Sequence, residues 1–118
     1  MQTTTLFRSS TDFKTFKQGD VVFETGDLGD CMYVVKEGEI SLFRGDKELS
    51  TLGTGEIFGE MAIIDSQPRS ASAIAKTDCQ LIPINEKKFG FLVQQTPNFA
   101  LFVMRVLAER LRTMDCLV

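Results

Sequence analysis

The spacing of the glycines constrains the fold of this chain more than any other feature. Between Phe13 and Ile84 the sequence consists of short apolar runs, and a glycine turn separates most neighbouring runs. The turn glycines are Gly26, Gly38, Gly45, Gly53 and Gly55. Short strands at regular intervals, with turn signals between them, are typical of a sandwich or a barrel. The pattern predicts a mainly β fold, and among such folds it favours a jelly-roll barrel over residues 13–84.

The individual runs predict seven strands. They cover residues 21–24, 31–36, 40–43, 48–52, 57–58, 70–75 and 79–84. Gly45-Asp46 marks a hairpin between the third and the fourth of these strands. Between the fifth and the sixth, residues 59–63 are predicted to form a single helical turn inserted into the barrel.

The periodicity changes after residue 84. Asn85 is predicted to cap a helix that begins at Glu86, because its side chain can accept a hydrogen bond from a free backbone N–H group. The inward positions of this helix are Phe89, Leu92 and Val93. Pro97 is predicted to begin a second helix at its first turn, where the missing N–H group of proline costs nothing. The chain therefore divides into a flexible segment (1–12), the barrel (13–84) and the C-terminal helices (85–118).

The second helix is apolar on more than one face. Its apolar positions include Phe99, Phe102, Val103, Val106, Leu107, Leu111 and Met114. Ala100, Leu101 and Met104 widen this stripe beyond the surface that one barrel usually covers. Two interpretations stay open: a deeply packed helix, and a helix whose second face contacts a partner. We favour the second, with a homodimer or an effector as the partner.

Charge and composition exclude several functional classes. The net charge of −3 and the pI near 4.9 argue against binding polymeric nucleic acid, which requires a basic face. The chain has no histidine, so imidazole metal sites and Ser–His or Cys–His nucleophile pairs are excluded. No apolar run approaches the ~20 residues that span a bilayer. Cys31, Cys79 and Cys116 lack metal-type spacing and are typical of a reduced cytoplasm. We predict a cytoplasmic protein without metal or membrane contact.

The segment 58–72 brings together residues with distinct uses at a small phosphorylated ligand. Gly59 lets a ligand approach the backbone closely, because it has no side chain. The carboxylate of Glu60 can accept hydrogen bonds from a sugar hydroxyl. Arg69 offers a planar fork of donors that matches two phosphate oxygens. Ser70 adds a hydroxyl group, and Ala71 adds a backbone N–H donor.

This segment resembles the phosphate-binding cassette of the cyclic nucleotide-binding domain, the module of catabolite-activator-type regulators, cyclic-nucleotide-dependent kinases and gated channels. The family pattern is a Phe-Gly-Glu motif, a short loop, and then Pro-Arg, a small residue and Ala. Here the first motif is Phe58-Gly59-Glu60 and the second is Pro68-Arg69-Ser70-Ala71. The resemblance extends from about residue 13 to about residue 112.

The resemblance implies a role for each residue of the cassette. Arg69 would pair with the exocyclic phosphate oxygens, helped by Ser70 and the Ala71 N–H group, and Glu60 would accept the ribose 2′-hydroxyl. Backbone contacts would come from Gly59 and Ala62. The apolar wall would include Leu42, Leu49 and Met61, and the base would be covered by Leu111, Met114 and Asp115 of the last helix. The implied ligand is cAMP, with cGMP as the alternative.

The implied mechanism is a switch in which the ligand pulls the cassette inward and repositions the last helix. Other interpretations stay open. Arg69 could form a structural salt bridge with Glu60, either permanently or only when the site is empty. The chain could be a degenerate module that serves in oligomerisation or scaffolding, or the sensor part of a larger transcription regulator or channel. No catalytic set is visible in the sequence, so we do not expect an enzyme.

Overall fold

The computed structural model describes Phe7 and residues 12–115. Within residues 12–115 it contains eight strands and three helices. The strands are β1 (Lys14–Phe16), β2 (Val21–Phe23), β3 (Cys31–Glu37), β4 (Ile40–Arg44), β5 (Lys47–Leu52), β6 (Ile57–Phe58), β7 (Ser72–Ala75) and β8 (Cys79–Asn85). The helices are α1 (Met61–Ile64), α2 (Glu86–Gln95) and α3 (Pro97–Asp115). The predicted order of a strand-rich barrel followed by two helices is confirmed.

The strands form two antiparallel sheets of four strands each. The first sheet has the order β1-β8-β3-β6, and the second has the order β2-β7-β4-β5. The chain crosses from one sheet to the other repeatedly, so most strands that are adjacent in sequence lie in different sheets. This double-sheet arrangement is that of the predicted jelly-roll barrel.

Strand β3 shows why one of the apolar runs is continuous rather than alternating. Cys31, Tyr33 and Val35 point into the core between the two sheets. Met32 and Val34 point the other way, into a second core that the first sheet forms with the C-terminal helices. Successive side chains of a strand face opposite sides, so the part of β3 that is covered on both sides, residues 31–35, has no charged position.

Strand β1 was not predicted. It is three residues long, and two of these residues are exposed, so it carries no hydrophobic periodicity. Its register with β8 pairs Lys14 with Leu81 and Phe16 with Cys79. The strand exists because β8 offers a hydrogen-bonding edge, which is a tertiary property.

Both predicted helix starts are confirmed. The Asn85 side chain accepts a hydrogen bond from the Lys88 N–H group at 2.8 Å, which is the expected capping contact. Pro97 begins α3. The helices pack on the first sheet through Phe99, which is fully buried and meets the Phe89 ring edge-on at 5.6 Å.

The last helix divides into two faces. Phe99 and Val103 are buried, and Phe102, Val106 and Leu107 pack partly against the same core. Leu111, one of the predicted apolar positions, does not belong to this core, because 61% of its surface is exposed. At about 100° per residue, Leu111 lies on the face that carries Leu101 and Met104 rather than on the face of Phe99. The side chain of Met114 lies outside the described residues.

The flexible segment predicted for residues 1–12 lies mostly outside the described part of the chain. Two of its residues are described, and each contacts a helix. Phe7 is buried, with its ring 6.1 Å from that of Phe99. Asp12 pairs with Lys88 of α2 at 2.7 Å.

Candidate functional site

The cassette predicted from the sequence is an excursion between β6 and β7. Gly59 follows β6 directly and has a φ of 76°, a conformation that residues with a side chain rarely adopt. Glu60 is the N-cap residue of α1, and its carbonyl accepts the N–H groups of Ile63 and Ile64 at 3.1 and 3.0 Å. The predicted helical turn is therefore present, shifted to Met61–Ile64. The chain then returns through Arg69 to β7.

Arg69 lies inside the protein, with only 7% of its surface exposed. Its Nη1 group donates to the Gly59 carbonyl at 2.9 Å, and its Nη2 group donates to the Cys31 carbonyl at 2.7 Å. Its Nε atom is buried and has no hydrogen-bond partner. No carboxylate of the described residues lies within ion-pair distance of this guanidinium. The positive charge is therefore held by neutral groups alone.

The loop between β2 and β3 anchors the backbone of Arg69. The Arg69 N–H group donates to the Asp27 carbonyl, and the Gly26 N–H group donates to the Arg69 carbonyl, both at 2.8 Å. The same loop comes close to the side chain, since a Cβ atom at Gly29 would lie 2.5 Å from the Arg69 Cζ atom. The arginine thus depends on glycines from two separate segments, Gly29 and Gly59.

Glu60 is also buried, with 4% of its surface exposed, and it is paired with Arg110 of α3. Arg110 reaches the cassette with both terminal nitrogens: Nη1 contacts the Glu60 carboxylate, and Nη2 donates to the Ile57 carbonyl at 2.7 Å. The alternative that Arg69 pairs with Glu60 is wrong. The two charged residues of the cassette have separate partners, and the partner of Glu60 belongs to the last helix.

Arg110 was not predicted as a site residue, although the helix pattern contains a signal for it. Phe99, Val103, Val106 and Arg110 follow one another at spacings of four, three and four residues, which is one face of a helix. A cation that continues a buried stripe requires an acidic partner. Glu60 is that partner, but it is fifty residues away in sequence, so only the fold could identify it.

The other predicted site residues lie around this pair with different exposures. Ala62 is buried, and its N–H group donates to the Gly59 carbonyl at 3.3 Å. The Phe58 ring lies in the barrel core, stacked on Tyr33 with 5.4 Å between the ring centroids. Met61 and Leu49 are each 41% exposed. The remaining residues are Leu42, which packs partly against the inter-sheet core, Ser70, which is exposed, and Ala71, which is half-buried.

Of the three residues predicted to cover the base, only Leu111 has a described side chain, and it is exposed. The side chains of Met114 and Asp115 lie outside the described residues. Ser70 has a contact that was not predicted, because its carbonyl accepts a hydrogen bond from the Arg44 Nε group at 3.4 Å. Arg44 places a second guanidinium next to the cassette, at the end of β4.

Burial favours the neutral form of two titratable groups in the core between the sheets. Burial raises the pKa of the Tyr33 phenol well above its usual value, and a hydrogen bond with Cys31 acts in the same direction, whereas the charge of Arg69 opposes both. Burial likewise raises the pKa of the Cys79 thiol, and both Cys31 and Cys79 are free and buried. Both thiols belong to the core between the two sheets. Cys116 lies outside the described residues.

A groove of about 420 Å³ borders the cassette on the side of α2. Gly29, Ala62 and Ile63 contribute to its walls, together with Asn85 and Glu86 at the start of the helix. Neither Arg69 nor Glu60 lines it. Because the Nε atom of Arg69 is buried, a ligand can contact this atom only if the cassette moves.

The described residues contain no group of three or more acidic or cysteine side chains that could hold a metal ion. Among the helices of residues 12–115, none combines the length and the apolar character needed to cross a bilayer.

The model of the cyclic nucleotide-binding domain family matches residues 13–96. The chain belongs to this family. The match includes all of the barrel and the whole segment 58–72, which contains the buried residues Glu60 and Arg69.

Individual relatives support the assignment of this cyclic nucleotide-binding domain. The chain is 37% identical over 107 residues to the cyclic AMP receptor protein of Thermus thermophilus, which covers 86% of the chain and 50% of that protein. It is 35% identical over 85 residues to the cAMP-dependent protein kinase regulatory subunit of Eremothecium gossypii, which covers 72% of the chain and 19% of that protein. The chain therefore spans half the length of the first relative and less than a fifth of the second.

A solved structure gives the same result for the fold. The crystal structure of the Thermus thermophilus catabolite activator protein superposes with a TM-score of 0.83 at 37% sequence identity. The superposition covers 96% of this chain and 55% of the other. The mainly β fold with C-terminal helices, predicted from the glycine pattern and from the resemblance, is confirmed.

Proposed function

We propose that this domain binds a cyclic purine nucleotide through Arg69 and transmits binding to α3. The observation that carries the proposal is the buried guanidinium of Arg69, which has neutral partners only and whose Nε atom has no hydrogen-bond partner. An uncompensated buried charge costs several kcal/mol. A phosphodiester carries one negative charge and would neutralise this guanidinium without breaking an existing ion pair.

Glu60 is the proposed acceptor for the ribose 2′-hydroxyl. A carboxylate has two oxygens and can accept several hydrogen bonds, so Glu60 can keep Arg110 on one oxygen while it accepts a hydroxyl on the other. Ser70 and the Ala71 N–H group are the proposed additional donors to the phosphate. Leu42, Leu49 and Met61 are the proposed apolar contacts.

The proposed output is a movement of the last helix. Arg110 connects α3 to both ends of the β6–α1 junction, through the Ile57 carbonyl and the Glu60 carboxylate. A ligand that moves Glu60 therefore changes the contacts of α3 directly. Because the ligand would make different contacts in the two positions of the cassette, it would shift the population between them.

cAMP is the proposed ligand, with cGMP as the alternative. The names of the Thermus and Eremothecium relatives refer to cyclic AMP. The small hydroxyl of Ser70 follows the cassette arginine and is compatible with either purine. The domain is proposed to be a binding module rather than an enzyme, and its proposed location is a reducing cytoplasm, since Cys31 and Cys79 are free thiols.

Calorimetric titration of the purified chain with cAMP and cGMP tests the proposal. We expect saturable binding of at least one nucleotide at one site per chain. At a free concentration about 100 times the dissociation constant, the ligand should add about 2.7 kcal/mol to the free energy of unfolding. Absence of both heat and thermal stabilisation with either nucleotide would favour the degenerate module without ligand.

The second face of α3 is proposed to pair with another copy of the chain. Leu101, Met104, Ala108 and Leu111 are exposed and follow one another at spacings of three, four and three residues. This is the a/d spacing of a two-stranded coiled coil. The seam is short, so the proposed dimer is weak and would form at micromolar concentrations.

Replacing both Met104 and Leu111 with lysine is expected to abolish self-association, because like charges would meet across the seam. Sedimentation equilibrium over a range of concentrations measures this. Phe91→Lys is the matched control, since Phe91 is equally exposed, at 59%, but lies on α2. A chain that is monomeric at every concentration before any substitution would contradict the dimer and leave an effector as the partner of this face.

A further inference from the structure

The guanidinium of Arg69 is held between an aromatic ring and a glycine. The Cζ atom lies 4.0 Å from the centroid of the Phe23 ring, which is the geometry of a cation–π contact. On another side, a Cβ atom at Gly29 would lie 2.5 Å from both Cζ and Nε. The ring and the glycine together leave the guanidinium little room to move out of its plane.

The Phe23 ring is itself fixed by other rings. Its centroid lies 6.2 Å from that of Tyr33 and 5.9 Å from that of Phe58. All three rings belong to the core between the two sheets. The position of Phe23 is therefore set by the packing of the barrel and does not depend on a ligand.

The two carbonyl partners of Arg69 restrain the remaining freedom of the guanidinium. The Gly59 and Cys31 carbonyls each hold one terminal nitrogen, so the group is restrained at two corners within its plane. The two carbonyls are uncharged acceptors, and the Phe23 ring that contacts the guanidinium is uncharged as well. This arrangement orients the positive charge without cancelling it, which is what a site for an anion requires.

We propose that Phe23 is a positioning residue for Arg69 in anion binding. The face contact with the ring keeps the guanidinium ordered in one plane before the ligand arrives, so less rotamer freedom is lost when the cassette moves to admit the anion. Arginine has one of the most flexible side chains, and an arginine without this platform would have to be ordered by the ligand itself. The inference rests on the proposed function, because it assumes that Arg69 is the phosphate-binding group.

Replacement of Phe23 by leucine removes the ring and keeps an apolar side chain. We expect this variant to bind cAMP about tenfold more weakly, since ordering one flexible side chain on binding costs about that factor. Phe23→Tyr keeps the ring face and should restore binding to within about twofold of the unsubstituted chain. Phe16→Leu is the matched control, because Phe16 is a half-buried phenylalanine packed on the same core. Phe16→Leu should lower the melting temperature about as much as Phe23→Leu does, without changing the affinity for cAMP.

Fluorination of Phe23 separates the electrostatic contact from packing. Fluorine atoms added to the ring weaken the negative face progressively while the shape changes little. The dissociation constant for cAMP should therefore rise stepwise with one, two and three fluorines. With three fluorines it should be about fivefold higher than that of the unsubstituted chain. NMR of the unliganded chain gives a second measurement. The Nε–H proton of Arg69 should show a ring-current shift caused by the Phe23 ring, and this shift should be absent in Phe23→Leu.

The outcomes are distinguishable. Stepwise weakening along the fluorinated series, with the Phe16→Leu affinity unchanged, supports the positioning role. If the unsubstituted chain binds cAMP and the series is flat, the positioning role is overturned and the proposed function stands. An affinity that rises with fluorination would also overturn it, since the ring would then hold Arg69 away from the ligand. If the unsubstituted chain binds neither nucleotide, both proposals fail.

Discussion

Replacement of Arg69 by alanine is expected to weaken cAMP binding at least about 100-fold. Truncating one member of a desolvated, hydrogen-bonded charge pair typically costs about 2–5 kcal/mol, and about 1.4 kcal/mol corresponds to a factor of ten. Arg69 is the group that the structure supplies for this pair, because it is buried and has no carboxylate partner among the described residues. Titration calorimetry with cAMP measures the loss directly.

The same substitution should change the stability of the unliganded chain far less. It leaves the Gly59 and Cys31 carbonyls without their donors, which costs about 1–3 kcal/mol for each group. It also removes an uncompensated buried charge, which gains back several kcal/mol. A large loss of binding with a melting temperature close to that of the original chain would identify Arg69 as a ligand-binding residue. A collapse of the fold would identify it as structural.

Arg44→Ala is the control that tests whether loss of any positive charge near the cassette weakens binding. Arg44 also donates to a backbone carbonyl at the cassette, but it is exposed and its contact with Ser70 is long, at 3.4 Å. We expect its removal to change the affinity less than about threefold, since exposed charges are screened by solvent. Equal losses for Arg44→Ala and Arg69→Ala would show that binding responds to net charge rather than to the cassette.

Replacement of Arg110 by methionine is expected to lower the free energy of unfolding by about 2 kcal/mol. Removing one partner of a buried ion pair costs about 3–5 kcal/mol, and we reduce this figure because 39% of the Arg110 side chain is exposed. The loss comes mainly from Glu60, whose side chain is only 5% exposed and would be left without its charged partner. Chemical denaturation measures the difference.

A double-mutant cycle with Glu60→Gln isolates this pair. If the unpaired Glu60 carboxylate causes the loss of stability in Arg110→Met, the double variant that also carries Glu60→Gln should be more stable than Arg110→Met alone, because it no longer buries that carboxylate. Arg112→Met is the matched control, because Arg112 is an exposed arginine of the same helix two residues further on. Its removal should cost less than about 0.5 kcal/mol.

The same variants test the output of the domain. Hydrogen exchange over residues 97–115 should change when cAMP binds to the original chain and to Arg112→Met. In Arg110→Met the nucleotide should still bind through Arg69, with the response of α3 reduced or absent. An identical response in all three proteins would show that Arg110 does not transmit binding. No response in any of them would contradict a switch that acts through α3.

The cassette and most of the barrel could be predicted without tertiary information because their signals are local. A glycine after most of the short apolar runs marks a turn whatever the strand then packs against. Asn85 and Pro97 specify helix starts through contacts within one turn. The motifs around Gly59 and Arg69 belong to one segment of fifteen residues, so their proximity needs no fold. For the same reason the family could be named from the residues 58–72.

The fold alone decided what these local elements contact. Strand β1 exists because β8 presents a free edge, and Leu111 is exposed because the barrel covers only the Phe99 face of α3. Glu60 pairs with Arg110 rather than with the nearer Arg69, and Arg69 rests on Phe23 instead, forty-six positions earlier in the chain. Which charged side chains pair depends on their distance and burial in three dimensions. A buried charge is stabilised by the groups that the packing of the fold places next to it. Neither distance nor burial can be read from a spacing along the chain.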